Sequence, residues 1–112
     1  MTLLIGEVVL IRVLFHHGVG GKVRPAVVVL DAGDDDFVAV PVTSQARVSG
    51  FDLALEDWQG AGLNVASYVR VHKLAVLAKG EVVRRIGSLV ERDVEAVQAL
   101  LCRAFCRDGA TE

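Results

Sequence analysis

The feature that most constrains this chain is a change of hydrophobic period near residue 88. Before it, short runs rich in Val, Ile and Leu are broken by glycine and aspartate turns: "GEVVLIRVLF", "PAVVVLD", "FVAVPVTS", "FDLALE", "SYVRVHKLAVLA" and "EVVRRIGSL". Runs of that length and make-up read as strands, with "HHGVGGK", "AGDDD" and "DWQGAGL" as turns. After it, Val90, Val94, Val97, Leu101 and Ala104 recur at helical spacing, Ser88 to Glu91 matches a capping box, and Gly109 is a stop signal. Several short strands closed by one terminal helix predict a mainly β fold, a small curved barrel or half-barrel, and exclude alternating βα units.

The chain of 112 residues has room for one domain, so residues 1–112 are read as a single unit. With 53% hydrophobic and 23% charged residues it is no disordered tail, and it carries more apolar surface than so small a body readily hides. That excess predicts an interface between two copies of the chain. The opening "MTLLIGEVVLIRVLF" is apolar, but Glu7 and Arg12 interrupt it before a signal-peptide or membrane-span length, giving the expectation of a cytoplasmic protein with no membrane partner.

The formal net charge of −2 counts against a broad nucleic-acid binder held by charge alone. The charges are unevenly placed, however. Asp31, Asp34, Asp35 and Asp36 cluster, as do Glu91, Asp93 and Glu95, while Lys22, Arg24, Arg47, Arg70, His72 and Lys73 lie in other segments and leave room for a local basic groove.

Within "VGGKVRPAVVVL", Pro25 biases the residue before it toward extended geometry, so Arg24 is presented in a defined direction at the mouth of a strand. Pro41 cannot donate to a strand ladder. The third strand therefore needs an edge or a bend near its end, which puts Thr43 and Ser44 at a rim. Strand alternation in "YVRVHK" places Arg70 and His72 on one face. Cys102 and Cys106, four apart in the helix, read as buried thiols and not as a disulfide. Trp58 reads as a core or interface anchor. The helical Cys-x-x-x-Cys has no second paired motif to make a zinc site with the histidines, and "VGGK" lacks the rest of a P-loop.

Taken in order, "GEVVLIRVLF", "GKVRPAVVV", "VPVTSQ", "DLALEDWQGAGLNVASYVRVHKL" and "VVRRIGSL" resemble the MazF/PemK toxins of bacterial toxin-antitoxin pairs over nearly the whole chain. The resemblance implies an SH3-like barrel, a homodimer, and an endoribonuclease that cuts single-stranded RNA with no metal or other cofactor. It also implies inhibition by a cognate antitoxin through an acidic, partly disordered segment. Carried over by position, Arg24 is similar to the arginine of the family's Arg-Pro motif and Thr43 to the hydroxyl residue of its Pro-x-Thr motif. Arg70 matches the arginine of the "VRxD" pattern found in another branch of the family. His72 stands where that pattern has an acid.

RNA cleaves itself when its 2′-hydroxyl loses a proton and attacks the neighbouring phosphate, so a catalyst needs a base, an acid and positive charge at the phosphorane. Arg24 and Arg70 suit the phosphate, His72 either proton transfer, and Thr43 a hydrogen bond to phosphate or to the 2′-hydroxyl. His16 and His17 are candidates to stack on bases, and Lys22, Ser44, Arg47 and Lys73 to line the RNA path. Two other readings of this set are a non-catalytic inhibitor of a target such as DNA gyrase and a decayed toxin kept as an interaction module.

Overall fold

The computed structural model describes residues 1–14, 21–46 and 49–107; His16, His17, Arg47 and Gly109 lie outside them. The described residues form seven strands, β1 (Glu7–Leu14), β2 (Gly21–Leu30), β3 (Asp36–Thr43), β4 (Asp52–Ala54), β5 (Tyr68–Arg70), β6 (Ala75–Ala78) and β7 (Val82–Ser88), and a final helix α1 (Glu91–Phe105). The strands pair in the order β4-β5-β3-β2-β1-β7, with β6 also on β3, and each pairing is antiparallel. Among the described residues β4, β6 and β7 each pair on one side only, so the sheet curves without closing. Two register shifts in the β1–β7 ladder, at Val8/Val9 and Leu10/Ile11, add to that curvature.

The apolar run of β2 is continuous because the central sheet is buried on both faces. Val8, Val27, Val40, Val42 and Val69 pack with Leu55, Leu89 and Val97 of α1, and Val94, Leu101 and Ala104 complete the helix stripe expected from the sequence. Their strand neighbours Val9, Ile11, Ala26, Val28, Phe37 and Ala39 form a second cluster with Leu3. Trp58 packs at the edge of the first cluster, as a core anchor should.

Pro41 marks the bend foreseen for the third strand. Asp36 to Ala39 pair with β6, whereas Val42 and Thr43 pair with β5, so β3 changes partner around the proline. Three expectations fail here. "SYVRVHKLAVLA" is not one strand: Val71–Lys73 make a 3₁₀ turn between β5 and β6, because both must pair with β3 and the chain turns a corner between them. The capping box is not formed, since Ser88 still belongs to β7 and Val90 caps α1 without a side-chain hydrogen bond. Cys102 and Cys106 are exposed and not buried, and free of any disulfide, at the last turn of α1, where the Cys106 N–H donates to the Cys102 carbonyl at 2.8 Å.

The carboxylate that matters at the helix start is Asp93. It is 1% exposed and accepts the backbone N–H groups of Glu56 and Asp57 at 3.1 and 3.0 Å, tying the loop after β4 to α1.

Candidate functional site

The first core cluster runs out at one end of the sheet, where Leu10 and Pro25 pair across β1 and β2 and become the floor of a cleft of about 340 Å³. Arg24, Thr43 and Ser44 stand along one side, Arg84 of β7 along another, and the segment Gly62 to Ser67 crosses the third. β2 begins at Gly21, so Arg24 lies within the strand and not before it. The β2–β3 ladder starts only at Ala26, which leaves an open edge beside Pro25, the setting in which a strand tolerates proline. Continuing that register two residues beyond the Ala26–Pro41 pair brings Arg24 opposite Thr43.

Thr43 Oγ1 accepts the Gln45 N–H at 3.1 Å, so its own hydrogen is left to donate into the cleft. Neither the Arg24 nor the Arg84 side chain has a hydrogen-bond or ion-pair partner among the described residues. Arg85, by contrast, faces the other way and lies 3.7 Å from Glu7.

The crossing segment is seated by contact of backbone on backbone. At Gly62, with φ +89°, a Cβ would fall 2.1 Å from the carbonyl oxygen of Ile86, and at Gly87 it would fall 2.3 Å from that of Ala61. Only glycine lets the loop lie so close to β7. The Leu63 N–H to Trp58 O bond (3.1 Å) and the Ser67 hydroxyl to Val65 O bond (2.7 Å) hold the rest, leaving Asn64 exposed at the lip.

Arg70 and His72 do not line this cleft; they belong to a second cluster at the far end of β5. Arg70 Nε donates to Asp52 at 2.9 Å across the β4–β5 pair, and the Ser49 hydroxyl donates to the other carboxylate oxygen at 2.8 Å. Burial pushes the Asp52 carboxyl up, but the Ser49 and Arg70 hydrogen bonds outweigh it and hold the group below its ordinary value. Arg70 is therefore committed to a charged partner.

Arg70 Nη2 lies 3.5 Å from His72 Nε2. Arginine offers only donors, so this contact is a hydrogen bond in the tautomer whose Nε2 accepts; Nδ1 is buried with no partner among the described residues. The His72 ring also packs on Phe51 at 6.1 Å between centroids, and Phe51 lies under the Arg103 guanidinium at 5.4 Å. The two residues predicted to share a face do meet, although through the 3₁₀ turn and not through strand alternation.

Lys22 and Lys73 are exposed and stand outside the cleft lining, whereas Ser44 is part of it. Arg84, Asn64 and Ser67 are the cleft residues that sequence reasoning missed. One signal was available for Arg84: adjacent arginines in the strand "VVRRIG" must point to opposite faces, so one of them had to turn toward the sheet's concave side. Among the described residues no three metal-ligating side chains converge.

Residues 5–105 match the family described as PemK-like, MazF-like toxin of type II toxin-antitoxin system. The chain belongs to this family. Among solved structures, MazE-MazF (Form-III) from Deinococcus radiodurans matches with a TM-score of 0.78 at 20% identity, covering 96% of this chain and 100% of that one. An endoribonuclease in complex with its cognate antitoxin from Mycobacterial species matches at 0.71 and 20% identity over 92% and 94% of the two chains. Mycobacterium tuberculosis toxin MazF-mt6 matches at 0.70 and 18% identity over 89% and 98%. Among curated proteins, none matched closely enough to count as a relative. At these identities the structures bear on the fold, and the antiparallel, helix-ended architecture expected for a MazF/PemK toxin is the one found. No described helix is long and apolar enough to cross a membrane.

Proposed function

We propose that this member of the toxin family is an endoribonuclease that cuts single-stranded RNA without a metal ion, and that Arg24 and Thr43 are its catalytic residues. The observation that carries the reading is an arginine side chain with no partner among the described residues, which the extended β2–β3 register sets beside a threonine hydroxyl on one wall of an open cleft. A phosphate seated between them receives two N–H donors from the planar guanidinium and one O–H donor from Thr43. Both interactions strengthen as the 2′-oxygen attacks and charge builds on the phosphorane oxygens, which is where preorganised donors lower a barrier. The 2′-hydroxyl proton passes to solvent water, the P–O2′ bond forms as the P–O5′ bond breaks, and the departing 5′-oxygen takes a proton from solvent, leaving a 2′,3′-cyclic phosphate and a 5′-hydroxyl. Two solved structures of complexes, the mycobacterial endoribonuclease with its antitoxin and MazE-MazF, support a cognate antitoxin as the inhibitor here, and the large apolar residues left exposed support a homodimer.

The test is purified protein with a mixed pool of single-stranded RNA in EDTA, with sequencing of ends that carry a 5′-hydroxyl. Cleavage at a defined site is expected in chelator. Arg24→Ala and Thr43→Val should each lower kcat by roughly ten- to a thousandfold, the range for losing one transition-state donor, with melting curves unchanged. Cutting that stops in EDTA and returns with a divalent ion, or variants as fast as the wild type, overturns the assignment.

A further inference from the structure

Among the described residues the cleft is lined by two positive charges and by no Asp or Glu, although the whole chain is net acidic at −2. Arg24 accounts for one of those charges under the function proposed above, on which this inference rests. Arg84 is the other. Leu10 pairs with Pro25 on one side and with Arg84 on the other, so Arg84 stands two strands from Pro25, about 10 Å away at the usual strand spacing. Arg24 and Arg84 line the same cleft from different strands, β2 and β7, and between those strands lies the apolar pair Leu10 and Pro25. The lip of that cleft carries Asn64, with exposed Val65 beside it.

We propose that Arg84 holds a second RNA phosphate, adjacent to the scissile one, with the intervening nucleoside lying on Leu10 and Pro25. Arg84 is then a substrate-binding residue that sets which way the strand runs through the cleft and requires a charged linkage beside the cut. The fixed backbone contact between the Gly62 segment and β7 keeps the lip in place over Arg84, so the subsite exists before RNA arrives.

The experiment uses a short RNA containing the mapped cut site, 2′-O-methylated outside it, in which each flanking phosphate in turn is replaced by a neutral methylphosphonate. An all-phosphate RNA with the same methylation is the control. One neutral linkage is expected to lower the wild-type kcat/KM by roughly ten- to a hundredfold, the size of one lost charge-assisted contact, mainly through KM. In Arg84→Gln the all-phosphate RNA should already show that loss, and the same neutral linkage should add nothing; Arg84→Lys should lie between. Arg84→Gln equal to the wild type, or losses that simply add, overturn the subsite. A wild type that cuts no RNA fails the catalytic reading instead. Binding of the same oligonucleotides by fluorescence anisotropy then decides: Arg84→Gln should reduce the salt slope by about 0.7, as for one phosphate on a single strand, and an unchanged slope refutes the assignment.

Discussion

Replacing Asp93 by alanine removes a carboxylate that sits 1% exposed in the first turn of α1 and accepts two backbone N–H groups from a loop 36 and 37 residues away in sequence. Each hydrogen bond to a charged acceptor is worth about 1.5–3 kcal/mol net. The lower end applies to each, because Glu56 is exposed and water reaches the freed donors. The lost carboxylate also no longer complements the helix N-terminus, a further ~0.3–1 kcal/mol. The expected destabilisation is about 3.5 kcal/mol, a large share of the roughly 5–15 kcal/mol that holds a small domain together. Asp93→Asn keeps one acceptor and turns a donor toward the second N–H, so it should fall between the wild type and Asp93→Ala. Urea unfolding followed by tryptophan fluorescence reads both, since Trp58 lies in the loop concerned. Hydrogen exchange supplies the local readout: the Glu56 and Asp57 amides should lose protection in Asp93→Ala before those of β2 do. A loss under about 0.5 kcal/mol, the size of an ordinary surface change, or unaltered exchange at those amides, refutes the account.

Asp31 accepts N–H groups from Leu3 and Gly33 and the Lys79 ammonium, and these hold its carboxyl down at about 2 from 3.8. A depressed folded value stabilises the fold above pH 3.8 and is lost as pH falls toward 2, so Asp31→Asn should flatten the acid limb of a stability–pH curve; an unchanged limb contradicts this. His72 uses Nε2 on Arg70 and buries Nδ1, so His72→Ala is expected to leave the pH profile of single-turnover RNA cleavage unmoved, and loss of a limb near pH 6–7 would make it the base or acid after all. Leu4, Ile5, Leu30, Val76 and Phe105 are each more than half exposed, and light scattering at micromolar concentration should give twice the chain mass; a clean monomer refutes the dimer.

The elements whose residues meet close neighbours were legible in the sequence. β1, β2, β3 and β7 alternate or run apolar according to whether one face or both are covered, and the stripe from Val94 to Ala104 fixes which side of α1 meets the sheet. Local chemistry also carried Pro41 to a bend and Thr43 to a rim, since proline's missing donor has a consequence wherever a ladder would run. The capping box failed for a reason of the same kind. Ser88 to Glu91 has the right spacing, but Ser88 is claimed by its ladder with Glu7, and a ladder bond already formed outranks a local cap.

What stayed illegible was set by contacts between distant segments. No local pattern tells that Asp93 will be buried under the N–H groups of Glu56 and Asp57, or that Asp52 will claim Arg70. The same blindness divides the basic residues. Arg24, Arg70, Arg84 and Arg85 look alike in the sequence, and the fold separates them by supplying carboxylates to two: Asp52 for Arg70 and Glu7 for Arg85. Arg24 and Arg84 are left without one among the described residues, both lining the cleft that Gly62 and Gly87 allow to form. An arginine already paired gains little from a phosphate, because it must first give up a charged partner. An unpaired one gives up only water, so an anion that reaches it gains the full charge-assisted contact.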